Sequence, residues 1–269
     1  CRGLEITLLS DQQLSGINIL VTRPAHQAQF LIDRIRAMGG NPIPFPVLEI
    51  TDIDDPASLI DVIARLDEFD WAIFVSPNAV NKAMKLITKH HSIFPKQLKI
   101  AVVGKGSADA LKRYGINEAL VPTDQFDSEA LLELNELQNM KGKRVVIFRG
   151  NGGRQLLGDT LIQRGAIVEY ATCYQRGKPT ADTTPLLTAW SQNPIHAVII
   201  TSSEGLHNLF DIIGSLGQQL LKLTPIFTVH ERIAQTAKDL GLKKIVYSPS
   251  HGDEGLLESL QVYFNSKLK

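Results

Sequence analysis

The chain has 269 residues, 43% of them apolar and 21% charged, a balance that suits a globular protein large enough for two cores. Its 28 basic and 28 acidic residues cancel, so no global field marks a nucleic-acid or membrane-surface partner. No apolar run reaches the ~20 residues of a membrane span, no secretory leader is visible, and Cys1 and Cys173 cannot build a disulfide framework. Together these features point to the cytoplasm.

The first 15 residues stand apart and read as an extension without catalytic consequence. After them come short β-branched runs, "INILVT", "PIPFPVLEI", "WAIFV", "KIAVV" and "ALV". Each is continuous rather than alternating, as parallel strands buried on both faces require. Between them, segments such as "HQAQFLIDRIRAMGG" and "NAVNKAMKLITKH" place apolar residues at helical spacing and often stop at glycine. The pattern then recurs with "RVVIF", "AIVEYATCY", "HAVIIT", "PIFTV" and "KIVY".

The recurrence is a duplication. Shifted by 126 positions without a gap, Gly16, Arg23, Gln29, Leu31, Asp33 and Gly39 fall on Gly142, Arg149, Gln155, Leu157, Asp159 and Gly165. Further on, Ser76 falls on Ser202, Lys112 on Lys238, Gly115 on Gly241 and Asp127 on Asp253. The copies span 16–141 and 142–267. Each predicts a doubly wound α/β lobe with a parallel, flavodoxin-like sheet.

In such sheets ligands bind at the turns after the strands, where helix N-termini offer free N–H groups. Six such turns are readable: "TRPAH" with Thr22 and Arg23, "SPNA" with Ser76, Pro77 and Asn78, "GKGSA" with Gly104 and Ser107, "RGNGGR" with Arg149 and Gly150, "TSSEG" with Ser202 and Ser203, and "HERIA" with His230. Taken singly, Ser76, Ser107 and Ser202 read as N-caps, each stabilising its helix by about 1 kcal/mol. Taken together, six donor-rich turns suit a polyanion bound largely by backbone groups. "RGNGGR" lacks the Lys-Ser/Thr ending of a phosphate loop and has no G-x-G-x-x-G frame. What it shares with its repeat partner "RPAHQA" is the arginine, whose guanidinium can grip a carboxylate through two bonds. No Ser/His/Asp order, paired-carboxylate motif or Cys/His pair stands out, and the seven histidines show no ligand spacing, so no metal site is expected. Tyr174 stands at a strand end, where the chain enters a Gly/Pro-containing linker.

In order and spacing, "ILVTRP", "PVLEI", "FVSPNAV", "VVGKGSA", "RGNGGR", "CYQRGKP" and "TSSEGL" resemble uroporphyrinogen-III synthase, from about residue 17 to the C-terminus. The resemblance implies a hydro-lyase without metal or organic cofactor, monomeric. It would close hydroxymethylbilane, a linear tetrapyrrole with eight carboxylates, with inversion of the last pyrrole ring. It also implies interleaved lobes, 1–48 with 176–269 and 49–175, and both crossings then fall at the same point of the repeat. The substrate cyclises unaided to the wrong isomer, so the family's task is to hold one folded conformation and help hydroxide depart. Tyr174 matches the tyrosine implied for that help, since a phenol is protonated at neutral pH and can donate. Ser107 keeps a hydroxyl where some members have threonine, and Ser76 and Ser202 match further cleft hydroxyls. His230 departs from the small hydroxyl residue or glycine common there. A two-lobed binding protein that closes on a small anion without chemistry is the rival reading.

Overall fold

The computed structural model describes residues 13–91, 93–248 and 250–266. The chain divides into two compact units, the first comprising residues up to Glu49 and from Gly177 onward, the second Ile50–Arg176. Unit one begins with β1 (Asn18–Val21), α1 (Ala25–Ala37) and β2 (Asn41–Pro44). After β3 (Glu49–Thr51), unit two continues through α2 (Ala57–Ala64), β4 (Trp71–Phe74), α3 (Pro77–His90), β5 (Lys99–Val102), α4 (Lys105–Lys112) and β6 (Ala119–Leu120). It is completed by α5 (Ser128–Glu133), β7 (Arg144–Gly150), α6 (Leu156–Gln163) and β8 (Ile167–Gly177). The return to unit one runs through α7 (Thr184–Gln192), β9 (Ala197–Ile199), α8 (Ser203–Lys222) and β10 (Ile226–Thr228). It ends with α9 (Glu231–Asp239), β11 (Ile245–Tyr247) and α10 (Gly252–Ser266).

The sheet of unit one has the order β2-β1-β9-β10-β11, parallel throughout. In unit two the order is β3-β8-β7-β4-β5-β6, parallel from β8 to β6. Asn18 and Arg144, Asn41 and Ile167, Trp71 and Ala197, and Ala119 and Ile245 all open strands, each pair 126 positions apart. The orders β2-β1-β9-β10-β11 and β8-β7-β4-β5-β6 are therefore one order, that of a doubly wound flavodoxin-like sheet. Equivalent glycines close equivalent helices in both copies. Gly39 and Gly165, with φ of 80° and 92°, take the left-handed conformation that ends a helix without a Cβ clash.

Continuous apolar strands are explained by cores on both faces. Ile19 and Val21 pack with α1 and α10, while Leu20 packs with α7, α8 and α9. In unit two, Val146 and Phe148 face the α2–α4 side, and Val145 and Ile147 face α5 and α6. Phe74 and Phe148 stack on neighbouring strands with centroids 4.9 Å apart.

The run "PIPFPVLEI" does not form one strand; it divides into β2 and β3, which lie in different sheets. The Phe45 and Val47 N–H groups donate to the Val21 and Thr22 carbonyls, which holds the segment beside β1 until the crossing. Asn41 and Phe45 donate toward the β1 side, to Ile17 and Val21 at 2.8 and 2.9 Å. The alternate residues Pro42 and Pro44 therefore face away from it, on the strand that ends the sheet. In the second copy the same stretch is the single eleven-residue strand β8.

Candidate active site

At the carboxyl end of the unit-two sheet, one irregularity decides where a tyrosine points. Phe148 pairs with Ala171 and Arg149 with Thr172, but Gly150 pairs with Tyr174. One extra residue is thus inserted in β8, a bulge that reverses the alternation of faces. Without it Tyr174 would share the side of Tyr170, which packs toward α6. With it, Cys173 and Tyr174 both enter the core on the α3 side.

There Tyr174 is 3% exposed, and its hydroxyl lies 2.9 Å from Ser76 Oγ. Ser76 is the N-cap of α3, accepting the Ala79 N–H at 3.1 Å, with Pro77 in the first turn. Gly150 makes the arrangement possible: a Cβ there would stand 2.6 Å from Tyr174 Cε2. Two residues 98 positions apart and a glycine from a third motif therefore converge on one hydroxyl pair. Beside them, burial pushes the Cys173 thiol up to about 12, leaving it protonated and inert.

The glycine-rich turn itself is exposed from Asn151 to Arg154. It is held by the Asn151 N–H donating to the Tyr174 carbonyl and by the Arg176 N–H donating to Asn151 Oδ1, at 3.0 and 2.9 Å. Arg154 pairs with Glu129. Arg149 turns the other way, its guanidinium carbon 3.8 Å from the centre of the Tyr170 ring. Its Nε and Nη1 are buried without a hydrogen-bond acceptor, as is the Tyr170 hydroxyl. Burial raises the pKa of that phenol, Arg149 opposes the shift, and Asp159 adds to it.

The remaining expected residues fall into two groups. Gly104 is the N-cap of α4, whereas Ser107, read above as a cap, sits inside the helix and is 1% exposed. The glycine adopts the extended capping conformation (φ −137°, ψ 161°), so the helix begins ahead of the serine. Asn78 lies in the first turn of α3. In unit one, Thr22 is buried and donates to the Ile199 carbonyl at 2.6 Å, tying the ends of β1 and β9. Arg23 makes an ion contact of 2.6 Å with Asp253. That contact lacks hydrogen-bond alignment, since the buried Asp253 Oδ1 receives no hydrogen bond. Ser202 caps α8 by accepting the Gly205 N–H at 2.9 Å, and Thr236 donates to Ser203 Oγ. His230 occupies the N-cap position of α9; burial holds its imidazole below the ordinary pKa, with Arg232, His251 and Arg23 adding to the effect.

Tyr170 and Gly158 escape a motif reading. A Cβ at Gly158 would lie 1.9 Å from the Tyr170 hydroxyl oxygen, so the glycine inside α6 exists to admit that ring. The signal was available: glycine inside a helical pattern costs ~1 kcal/mol and asks for a packing reason. Among the described residues no three His, Cys, Asp or Glu side chains group as metal ligands, and no helix is long and apolar enough to cross a membrane.

Comparison with known proteins places the chain in a family. A family model described as "Uroporphyrinogen-III synthase HemD" matches residues 29–258. The uroporphyrinogen-III synthase of Escherichia coli (strain K12) is 35% identical over 246 residues, covering 91% of this chain and 100% of its own. That of Salmonella typhimurium (strain LT2) is 34% identical over the same shares. Among solved structures, a mutant uroporphyrinogen III synthase from the extremely thermophilic bacterium Thermus thermophilus superposes with a TM-score of 0.64 at 17% identity, over 92% of this chain and 100% of the other. The Helicobacter pylori uroporphyrinogen-III synthetase gives 0.59 at 14%, over 92% and 99%, a likeness of fold. This chain belongs to the uroporphyrinogen-III synthase family.

Proposed function

We propose that this protein is a hydro-lyase that closes hydroxymethylbilane to uroporphyrinogen III with loss of one water. The observation that carries the mechanism is the Tyr174–Ser76 hydroxyl pair, 2.9 Å apart. The phenol is buried, whereas Ser76 is partly exposed at the head of α3. In the productive arrangement Ser76 Oγ accepts from Tyr174 and donates outward to the departing hydroxyl of the substrate. The proton delivered there turns a poor leaving group into water, and the pyrrole electrons supply the push. The ring-forming carbon gives up a proton later, so the reaction is balanced by one water lost.

In unit two, Arg149 and the helix N-termini after β4 and β5 offer donors suited to carboxylates, and in unit one the helix N-termini after β9 and β10 offer donors of the same kind. Ser76, Asn78, Gly104, Ser202, Ser203 and His230 mark those turns. Thr22 and Ser107, both buried, support the turns from beneath. The enzyme works as a cytoplasmic monomer on a free small molecule, and it acts mainly by holding one conformation.

The test is the isomer formed. Hydroxymethylbilane is supplied and the porphyrinogens are resolved after oxidation; type III is expected. Only type I, at the uncatalysed rate, would end the synthase reading. Tyr174→Phe is expected to lower turnover about 10- to 100-fold, the usual range for a general acid, with product binding little changed. Unchanged turnover would make Tyr174 a packing residue.

A further inference from the structure

The duplication supplies an arginine at the same strand end in each unit, and the two have diverged in what surrounds them. Arg23 is spoken for by Asp253 at 2.6 Å. The equivalent acid in unit two, Asp127, is used elsewhere: it is the N-cap of α5, accepting the Ala130 N–H at 2.8 Å. The cause is a difference in helix start. α10 begins at Gly252, two residues ahead of the position equivalent to Ser128, so Asp253 lies within the first turn rather than at the cap.

Arg149 is left with no carboxylate of its own among the described residues, and with Nε and Nη1 buried and unpaired. What it has instead is an aromatic face at 3.8 Å. That face exists only in unit two, where Tyr170 stands at the position of Pro44 and Gly158 at that of Ile32. The two changes depend on each other, because any side chain at 158 would collide with the Tyr170 ring tip. A ring face attracts a guanidinium and fixes its plane, but accepts none of its in-plane hydrogen bonds. A guanidinium fixed in this way, with two buried N–H groups lacking an acceptor, is half of a fork-to-fork carboxylate contact.

Resting on the synthase reading, we infer that Tyr170 is a positioning residue: its ring holds Arg149 for one carboxylate of the tetrapyrrole, a role that Arg23 has lost to Asp253. Uroporphyrin III, the stable oxidised product with eight carboxylates, is the probe, read by fluorescence titration alongside steady-state kinetics. Arg149→Gln is expected to weaken binding about 10- to 100-fold, the value of a lost charge-assisted contact. Its thermal midpoint without ligand should hold or rise, because an uncompensated buried cation has been removed. Tyr170→Leu, which removes the platform, should raise KM about tenfold with kcat nearly kept; Tyr170→Phe, which keeps it, should stay within about twofold of the parent.

Equal effects of Tyr170→Phe and Tyr170→Leu would make the hydroxyl the active group and overturn the platform role. Unchanged uroporphyrin binding by Arg149→Gln would overturn the carboxylate contact, and so would a loss that merely follows a lowered thermal midpoint. If the parent protein makes type III isomer while either result is seen, only this inference falls. If the parent makes type I alone, the synthase reading falls with it.

Discussion

The two units share a strand order and differ where it matters chemically. At four equivalent positions unit one has Pro24, Leu48, Ile32 and Pro44, while unit two has Gly150, Tyr174, Gly158 and Tyr170. Each tyrosine is matched by a glycine whose missing side chain makes room for it, with would-be Cβ contacts of 2.6 and 1.9 Å. The ancestral module thus supplied turns and helix N-termini in duplicate. One copy carries its polar aromatic groups in compensated pairs, a large residue matched by a missing side chain. Close packing leaves no other low-cost route, since an added ring without matching space strains a filled core.

That difference can be broken most directly at Gly150. Gly150→Val should drive the Tyr174 ring off Ser76, cutting turnover about 100-fold and destabilising unit two by about 1–3 kcal/mol through overpacking. Isomer analysis and urea unfolding measure the two losses, and a turnover close to the parent's would mean the hydroxyl pair is idle. Next in size is a matched pair of cap deletions. Ser76→Ala and Ser202→Ala should each cost about 1 kcal/mol of stability as lost N-caps. Ser76→Ala should in addition lower turnover about tenfold, well beyond the effect of Ser202→Ala; equal effects on turnover would erase the chemical distinction between the copies.

A smaller change is expected from Arg23→Gln. It abolishes the ion contact with Asp253, lowering stability by about 0.5–1 kcal/mol, opposite in sign to the change expected for Arg149→Gln. Smallest is a pH effect at His230. Its pKa is lowered in the folded protein, first by burial and then by Arg232, His251 and Arg23. The unfolded chain therefore binds more protons as pH falls through about 6.5, and stability declines in that window. His230→Asn should flatten the decline in a series of thermal midpoints between about pH 7 and 5; an unaltered slope would assign it to other groups.

Much of the scaffold was legible because duplication writes the same constraint twice. Gly39 and Gly165 recur because both must take positive φ, and Ser76 and Ser202 recur because both cap helices. The fate of each arginine was not legible, because it depends on where α5 and α10 begin, a shift of two residues in helix start. The direction of Tyr174 was hidden for a different reason. Strand residues alternate faces, and only pairing with β7 reveals that β8 carries one residue too many. Ser107 misled because glycine, with no side chain to announce it, took the capping position at 104.

Pro42 and Pro44 have a consequence beyond this fold. In unit two the equivalent strand β8 is covered by β3, but among the described residues β2 ends its sheet and would otherwise present a row of N–H donors to any passing extended chain. The two prolines blank that row, since neither carries a hydrogen to give. A chain crowded with β-branched strands thereby loses one template on which copies could stack into fibres. The proline-rich stretch that breaks the first copy's strand in two also guards the protein against polymerising with itself.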